Sequence, residues 1–352
     1  MSQKLLILVI GATGAQGLPV VSSLLAPGKD GSPSPYAVRA LTRDAKHERA
    51  LRLQAAGVEL FEGIAIDPSR THPTSSQPTK DVTVYSSTPI HSPSVRNERF
   101  TLRFEYAHRE PGMKHFVWSG LDYASKLGKY DLKYKTEHLD GKGIFGDFLK
   151  SQKSDSSAGD EGLTWSIVTT GPYIEGLSSV LLGPRTEREN GAVVFDIPIG
   201  DGHVPVISLR DIGWWVRYTF DHRSESSGKE LKIATEMLTG DGLAETFTRV
   251  TGIPAVYRRL GVDEYFEHCG IEGLDKPIAS EGGGVSSSVS SIRDTFSGLY
   301  WTWRDNLIER DMEWIRRVHP GGYTLESWIR ETGYNGTTGT GGLKNNRGLV
   351  KK

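Results

Sequence analysis

The chain has 352 residues, with 42 Lys and Arg against 43 Asp and Glu, for a formal net charge of −1. Hydrophobic residues make up 37% and charged residues 24%, with a mean hydropathy of −0.38, so a globular fold larger than one core usually fills is expected, either two lobes or one large α/β unit with a cap. The balanced charge excludes the broad basic field of a non-specific nucleic-acid binder, and the single cysteine, Cys269, excludes an internal disulfide framework and a CxxC zinc site.

Lys4 to Ile10 opens the chain as a short apolar run rich in β-branched residues. Its length and the glycine that follows favour a buried parallel strand over a helix. The run is too short for a spanning helix, which needs about 20 residues, or for the apolar core of an export signal, about 7–15 residues. A cytoplasmic, membrane-free protein is therefore expected, or a nuclear one if its role is regulatory. Gly11, Ala12, Thr13, Gly14, Ala15, Gln16 and Gly17 come next, then Leu18, Val21, Leu24 and Leu25 at helical spacing with Pro19 in the first turn.

Strand, glycine turn, helix is the context in which GxxGxxG acts as a variant of the dinucleotide fingerprint. The first glycine permits the tight turn. The second lets a pyrophosphate approach the backbone, and the third lets helix and strand pack closely. The helix N-terminus then offers N–H groups and the positive end of its dipole to an anion.

A second strand is expected from Tyr36 to Arg43. An NAD site would end it in an acidic residue for the ribose hydroxyls. Arg43 stands there instead, with Arg39 before it and Lys46 after it, which suits a 2′-phosphate and favours NADP(H). Asp44, next to Arg43, counts against this reading.

Residues 64–111 lead from Ile64-Ala65-Ile66-Asp67 into a segment rich in Ser, Thr and Pro and read as irregular, with Val82–Tyr85 a strand only if its loop-like surroundings allow it. Beyond it, strands are expected at Met113–Ser119, Thr164–Thr169 and Leu231–Thr235, and a helix at Tyr134–Lys150. Further helical segments are expected near 241–251, 262–269, 299–318 and 324–331. Ser151–Gly162 and Ser280–Ser291 read as polar connectors. The alternation of short strands and helices argues a doubly wound parallel sheet.

Seven blocks, GATGAQG (Gly11–Gly17), VRALTRD (Val38–Asp44), MKHFVWSGL (Met113–Leu121), HLDGKG (His138–Gly143), TWSIVTTGPY (Thr164–Tyr173), VPVISLRDIG (Val204–Gly213) and YTLESW (Tyr323–Trp328), together resemble the NmrA-like family, an atypical branch of the short-chain dehydrogenase/reductases. The resemblance covers residues 4–63 and 112–331 and breaks at 64–111. It implies a Rossmann-type α/β fold with a smaller C-terminal α/β substrate lobe. Residues 1–172 would form the nucleotide domain, with 206–236 contributing, and 173–205 with 237–331 the substrate lobe. Residues 332–352, rich in Gly, Thr and Lys from Asn335 on, would be a disordered tail. By position, the phosphate turn is Gly11–Gly17 and the 2′-phosphate contact is Arg43 with Lys46 or His47 nearby. Lys142 is the nicotinamide-ribose contact, and Tyr173, Ile174, Glu175 and Gly176 border the nicotinamide.

Short-chain dehydrogenases pair Tyr and Lys four residues apart on one helix face, with a Ser nearby. The lysine cation eases proton loss from the tyrosine, which passes a proton to the carbonyl. Here Lys142 takes the lysine place, Ser119 the serine place, and His138 stands where the tyrosine is expected. His138 is either an acid/base group or a polar residue of the pocket wall, and Tyr134 and Tyr130 stand one and two turns further back. Water is the rival proton donor. Asp211 is expected to cap a helix or pin a loop. Cys269 beside His268 is expected to be structural, because adjacent helix residues face apart. Trp301, Trp303 and Trp314, with Leu299, Tyr300 and Ile315, are expected to pack the lobe and to supply part of a substrate wall. The resemblance implies an NADP(H)-dependent oxidoreductase reducing a small organic carbonyl or conjugated double bond, in a setting of secondary metabolite biosynthesis. The rival is a redox sensor or transcriptional regulator that binds NADP(H) without turnover and acts through a protein partner; direct nucleic-acid contact is expected in neither case.

Overall fold

A computed structural model describes residues 4–63, 82–86, 104, 112–154, 163–179, 182–269, 273–276 and 291–338. Seven strands form one parallel sheet: β1 (Leu5–Ile10), β2 (Tyr36–Thr42), β3 (Glu59–Glu62), β4 (Val82–Ser86), β5 (Met113–Leu121), β6 (Thr164–Thr170) and β9 (Lys229–Lys232). Their order is β3-β2-β1-β4-β5-β6-β9. The chain winds outward in one direction from β1 and in the other from β4. That order is the Rossmann pattern, whose crevice opens at the carboxyl ends of the strands between the two central ones.

Period-2 alternation decides which face each residue serves. Ile7, Val9, Val117 and Val168 join one core with Val20, Val21 and Leu24 of α1 (Gly17–Leu25). Ile212, Trp215 and Val216 of the helix Leu209–Asp221 join the same core. Ile10, Phe116, Trp118, Trp165 and Ile167 face the other way, against Phe145 and Leu149 of the helix Glu137–Ser151. A third core belongs to the smaller lobe. It gathers Phe195 of β7 (Val193–Phe195), Val204 and Val206 of β8 (Val204–Val206), Phe247 of the helix Gly240–Thr251, and Tyr300 and Trp303 of the helix Ile292–Arg304. In that lobe β8 pairs antiparallel with β10 (Glu236–Leu238), and β7 pairs parallel with β11 (Ala255–Tyr257).

Several expectations are corrected. Val82–Ser86 lies at the centre of the sheet, hydrogen-bonded to β1 and β5, so the stretch 64–111 is not irregular throughout; its remainder, Phe104 apart, lies outside the described residues. Phe104 is buried edge-on against Phe116 and Phe148. The helix expected from Tyr134 starts at Glu137. Before it, Asp131 caps a 3₁₀ turn at Leu132–Tyr134 and Thr136 is extended. Asp140 holds this entry open by accepting from the backbone N–H of both Ser125 and Thr136.

The segment expected as one helix over 299–318 is two, Ile292–Arg304 and Met312–Val318, broken where Asn306 takes a φ of 53° and Asp311 caps the second. The last strand ends at Lys232, because Thr235 has already crossed to donate to the Val206 carbonyl. Residues 332–338 of the expected tail are ordered. Tyr334 is buried and its hydroxyl donates to the Leu177 carbonyl at 2.8 Å. Residues 155–162, 277–290 and 339–352, which hold most of both connectors and of the tail, lie outside the described residues.

Candidate functional site

The glycine turn sits where β1 meets α1. Gly11 has a φ of 84°, a left-handed value that L side chains rarely adopt. A Cβ on Gly17 would lie 2.1 Å from the Gly11 carbonyl oxygen and 2.6 Å from Ala12 Cα, so helix and strand are as close as glycine permits. Gln16, at the N-cap of α1, makes no cap with its side chain, and the first turn carries no acidic residue. Nothing in that turn opposes an anion at the helix N-terminus.

The Gln16 side chain is used elsewhere. Its Oε1 accepts from Ser119 Oγ at 2.7 Å, and it is hydrogen-bonded to the Tyr173 hydroxyl. Lys142 Nζ donates to the Ser119 carbonyl at 2.9 Å and lies 3.5 Å from Ser119 Oγ. Ser119 and Lys142 are both buried. Burial pushes the Lys142 pKa down to about 8 and the Tyr173 hydroxyl up to about 12. One hydrogen-bonded chain thus joins the glycine turn, β5, the helix Glu137–Ser151 and the segment after β6.

The chain forms one wall of a cavity of about 250 Å³ at the carboxyl ends of the strands. Gln16, Lys142 and Tyr173 line it on the sheet side, with Thr170, Gly171 and Pro172. Phe296, Leu299, Tyr300 and Trp303 of the helix Ile292–Arg304 close the far side. Asp122, just past β5, completes the wall; its carboxylate is gripped by Arg310 Nη1 at 3.1 Å and Nη2 at 2.6 Å. Asp122 and Arg310 were not among the sequence candidates. They are 188 residues apart, and Arg310 lies in the break between two helices that the sequence reads as one.

The other sequence candidates scatter. His138 lies outside the cavity lining; its neighbour Leu139 lines the wall, and the His138 ring packs 6.4 Å from that of Phe296. Tyr134 donates to Asp305 Oδ2 at 2.7 Å, outside the cavity lining, and Tyr130 is 64% exposed. Of the four expected nicotinamide neighbours, Tyr173 to Gly176, Tyr173 and Gly176 line the cavity. Ile174 is buried in the lobe core, and Glu175 turns to accept from the Leu209 N–H at 3.1 Å. Burial raises the Glu175 pKa to about 7, and its Oε2 is buried without a partner among the described residues.

Asp211 accepts from Thr235 Oγ1 and the Tyr323 N–H, each at 3.0 Å, and lies 3.3 Å from His319 Nε2, so it pins loops to its helix. Cys269 is half-buried at the end of the helix Val262–His268. Trp303 and Trp301 pack in the lobe core as expected, with Trp301 under the Lys133 ammonium, but Trp314 packs on Trp215 in the core under the main sheet, because its helix lies against the helix Leu209–Asp221.

Arg43 and Lys46 are exposed just beyond β2. Arg39 is committed to Glu59 of the next strand at 2.9 Å. Arg49, which the sequence reading passed over, extends its Nη1 to the Thr13 carbonyl of the glycine turn at 3.4 Å. His47 caps the helix Glu48–Ala55, which carries Arg49, by accepting from the Arg49 N–H. Among the described residues no group of His, Cys, Asp and Glu is arranged to hold a metal, and no helix is long and apolar enough to cross a membrane.

Fold and site together define a Rossmann-type α/β protein with an aromatic-walled cavity at the crevice of its sheet. A family model described as the NmrA-like family matches residues 3–281, and the chain belongs to that family. Among solved structures, NmrA, a negative transcriptional regulator in complex with NADP, aligns with a TM-score of 0.64 at 15% identity, covering 94% of this chain and 95% of that one. The triphenylmethane reductase of Citrobacter sp., complexed with NADP(H), aligns with a TM-score of 0.64 at 16% identity, covering 92% and 99%. The NADPH-dependent quinone oxidoreductase of Escherichia coli, complexed with NADPH, gives 0.62 at 17% identity, covering 93% and 100%. These are likenesses of fold.

Proposed function

We propose that this chain is an NADP(H)-dependent oxidoreductase whose substrate, a small organic molecule with a carbonyl or conjugated double bond, enters the aromatic-walled cavity. The observation that carries the reading is the buried Lys142, tied through Ser119 and Gln16 to a turn where a Cβ on Gly17 would strike the backbone. The residues fit the cofactor: a turn open to a pyrophosphate, a helix N-terminus without acidic residues, and Arg43, Lys46 and Arg49 around the adenosine end. When bound, NADPH supplies a hydride from C4 of its nicotinamide. Lys142 would hold the ribose with the donors it does not spend on Ser119, and Tyr173 would border the ring. The aromatic wall excludes water and presents flat faces to the substrate. The proton that completes reduction comes from Lys142 Nζ or from water, since His138 and Tyr134 lie outside the cavity lining.

That same gap supports the second reading, an NADP(H)-binding sensor that acts through a protein partner. NADPH oxidation with a panel of enones, quinones and aldehydes, compared with Lys142→Ala, tests the choice. Turnover lost in the variant supports the reductase. Folded, NADPH-binding protein that oxidises no NADPH with any substrate supports the sensor.

A further inference from the structure

Four of the described residues lining the cavity carry a hydroxyl: Thr170, Tyr173, Ser179 and Tyr300. Three of these hydroxyls are spent on the protein. Thr170 Oγ1 donates to the Gly120 carbonyl at 3.4 Å, Ser179 Oγ donates to the Gly176 carbonyl at 2.7 Å, and the Tyr300 hydroxyl is hydrogen-bonded to Tyr265. Tyr173 differs. Gln16 Oε1 already accepts the Ser119 proton. The Gln16 contact favours the ionised form of Tyr173, so it is the Gln16 amide nitrogen that donates, to the phenol oxygen. The proton of the Tyr173 hydroxyl is not used in that bond, and no acceptor among the described residues takes it.

The backbone fixes where this hydroxyl stands. The Ile207 N–H donates to the Pro172 carbonyl and the Ile174 N–H to the Ile207 carbonyl, each at 3.0 Å, one on either side of Tyr173. The side chain packs against the core around α1. Burial raises its pKa to about 12, so at neutral pH it stays a donor. Reduction of a carbonyl or enone places a hydride on carbon and pushes an electron pair onto oxygen. A donor already held in place for that oxygen lowers the barrier, because nothing has to reorient as the charge develops. Lys142 Nζ, bonded to the neutral oxygens of Ser119, adds its positive charge to the same wall.

We infer that Tyr173 is a catalytic residue of this reductase, its hydroxyl donating a hydrogen bond to the substrate oxygen that gains the electron pair. Tyr173 keeps its own proton; the proton that completes the reduction comes from Lys142 Nζ or water. The inference rests on reading the cavity as the substrate site of the reductase proposed above.

Infrared difference spectra of cinnamaldehyde, with and without ¹³C at its carbonyl, isolate the band of the aldehyde bound to the intact protein with NADP⁺, without turnover. In the wild type the band should lie below its position in cyclohexane, and Tyr173→Phe should move it up. In NADPH turnover with the panel of enones, quinones and aldehydes, the same variant should lose about a hundredfold in kcat, the worth of one donor to a developing oxyanion. KM and the Kd of NADPH should stay within about twofold of wild type. A wild-type band at the cyclohexane frequency, or a variant that leaves band and kcat unmoved, would overturn the inference. A variant whose loss lies in NADPH affinity, with the band unmoved, would also overturn it and give the hydroxyl to the nucleotide. No turnover by the wild type with any member of the panel, with the band shift intact, would remove the reductase reading and leave Tyr173 as the cavity's donor.

Discussion

Replacing Lys142 by Met should make the nucleotide-free protein more stable while weakening its grip on NADPH. Burial lowers the Lys142 pKa from the ordinary 10.5 to about 8. One pKa unit corresponds to about 1.4 kcal/mol, so keeping the ammonium charged at neutral pH costs the fold roughly 3 kcal/mol. Methionine keeps the length of the stem and removes the charge. The variant loses the 2.9 Å bond to the Ser119 carbonyl, worth about 1 kcal/mol, and leaves that oxygen short of a donor at about as much again. The balance is a gain of about 1 kcal/mol. Urea unfolding at pH 7 reads it as a higher midpoint at an unchanged m-value.

The pH dependence provides an independent check. Between about pH 8 and 10.5 the folded wild type binds fewer protons than the unfolded chain, so its stability should rise with pH across that window. In the Met variant this rise should vanish. NADPH affinity should fall about tenfold or more, the worth of a charge-assisted hydrogen bond. A variant less stable than wild type by more than about 1 kcal/mol, or one with the same rise above pH 8, would refute the claim that this lysine is held at a cost for function.

Three further outcomes can be checked. Gly17→Ala places a Cβ 2.1 Å from the Gly11 carbonyl oxygen; the strain should cost about 1–3 kcal/mol in a thermal melt and reduce NADPH affinity, and a variant unchanged in both would contradict the tight turn. Arg43→Ala and Arg49→Ala should each weaken NADPH binding in calorimetry by about tenfold while leaving NADH binding nearly as it was; equal loss of both nucleotides would remove the 2′-phosphate assignment. Burial raises the Glu175 pKa from its ordinary 4.5 to about 7, so the folded state binds the extra proton and wild-type stability should fall as pH rises from about 4.5 through 7. Glu175→Gln should flatten that fall in melts across pH 5–8, and an unaltered slope would show that this carboxyl is not its source.

What the sequence made legible was local. Leu5–Ile10, the glycines at 11 and 17 and the apolar spacing of the first helix all lie within one short window, so strand, turn and helix could be read directly. Lys142 and Ser119 were found through the resemblance, and the structure brings them within hydrogen-bond reach. What escaped depended on distant partners. Val82–Tyr85 stays undecided between strand and loop from its Ser- and Thr-rich flanks, and it is β1 and β5 that settle it by supplying a ladder on both sides. Tyr134 follows helical spacing, but Asp140 captures the backbone N–H of Thr136 and delays the helix. Gln16 was placed on the phosphate turn by pattern, with no hint that its amide would reach Ser119, 103 residues on. Arg310 carried no local signal at all, because its partners Asp122, Thr170 and Ile233 come from the ends of three different strands or the segments after them.

Uptake of the phosphorylated nicotinamide nucleotide is the claim on which reductase and sensor alike depend. Isothermal titration of the intact wild-type chain with NADPH and, separately, with NADH measures it directly. Saturable one-to-one binding of NADPH, tighter than NADH by about tenfold or more, is the expected result. No heat of binding with either nucleotide, or a clear preference for NADH, would contradict it.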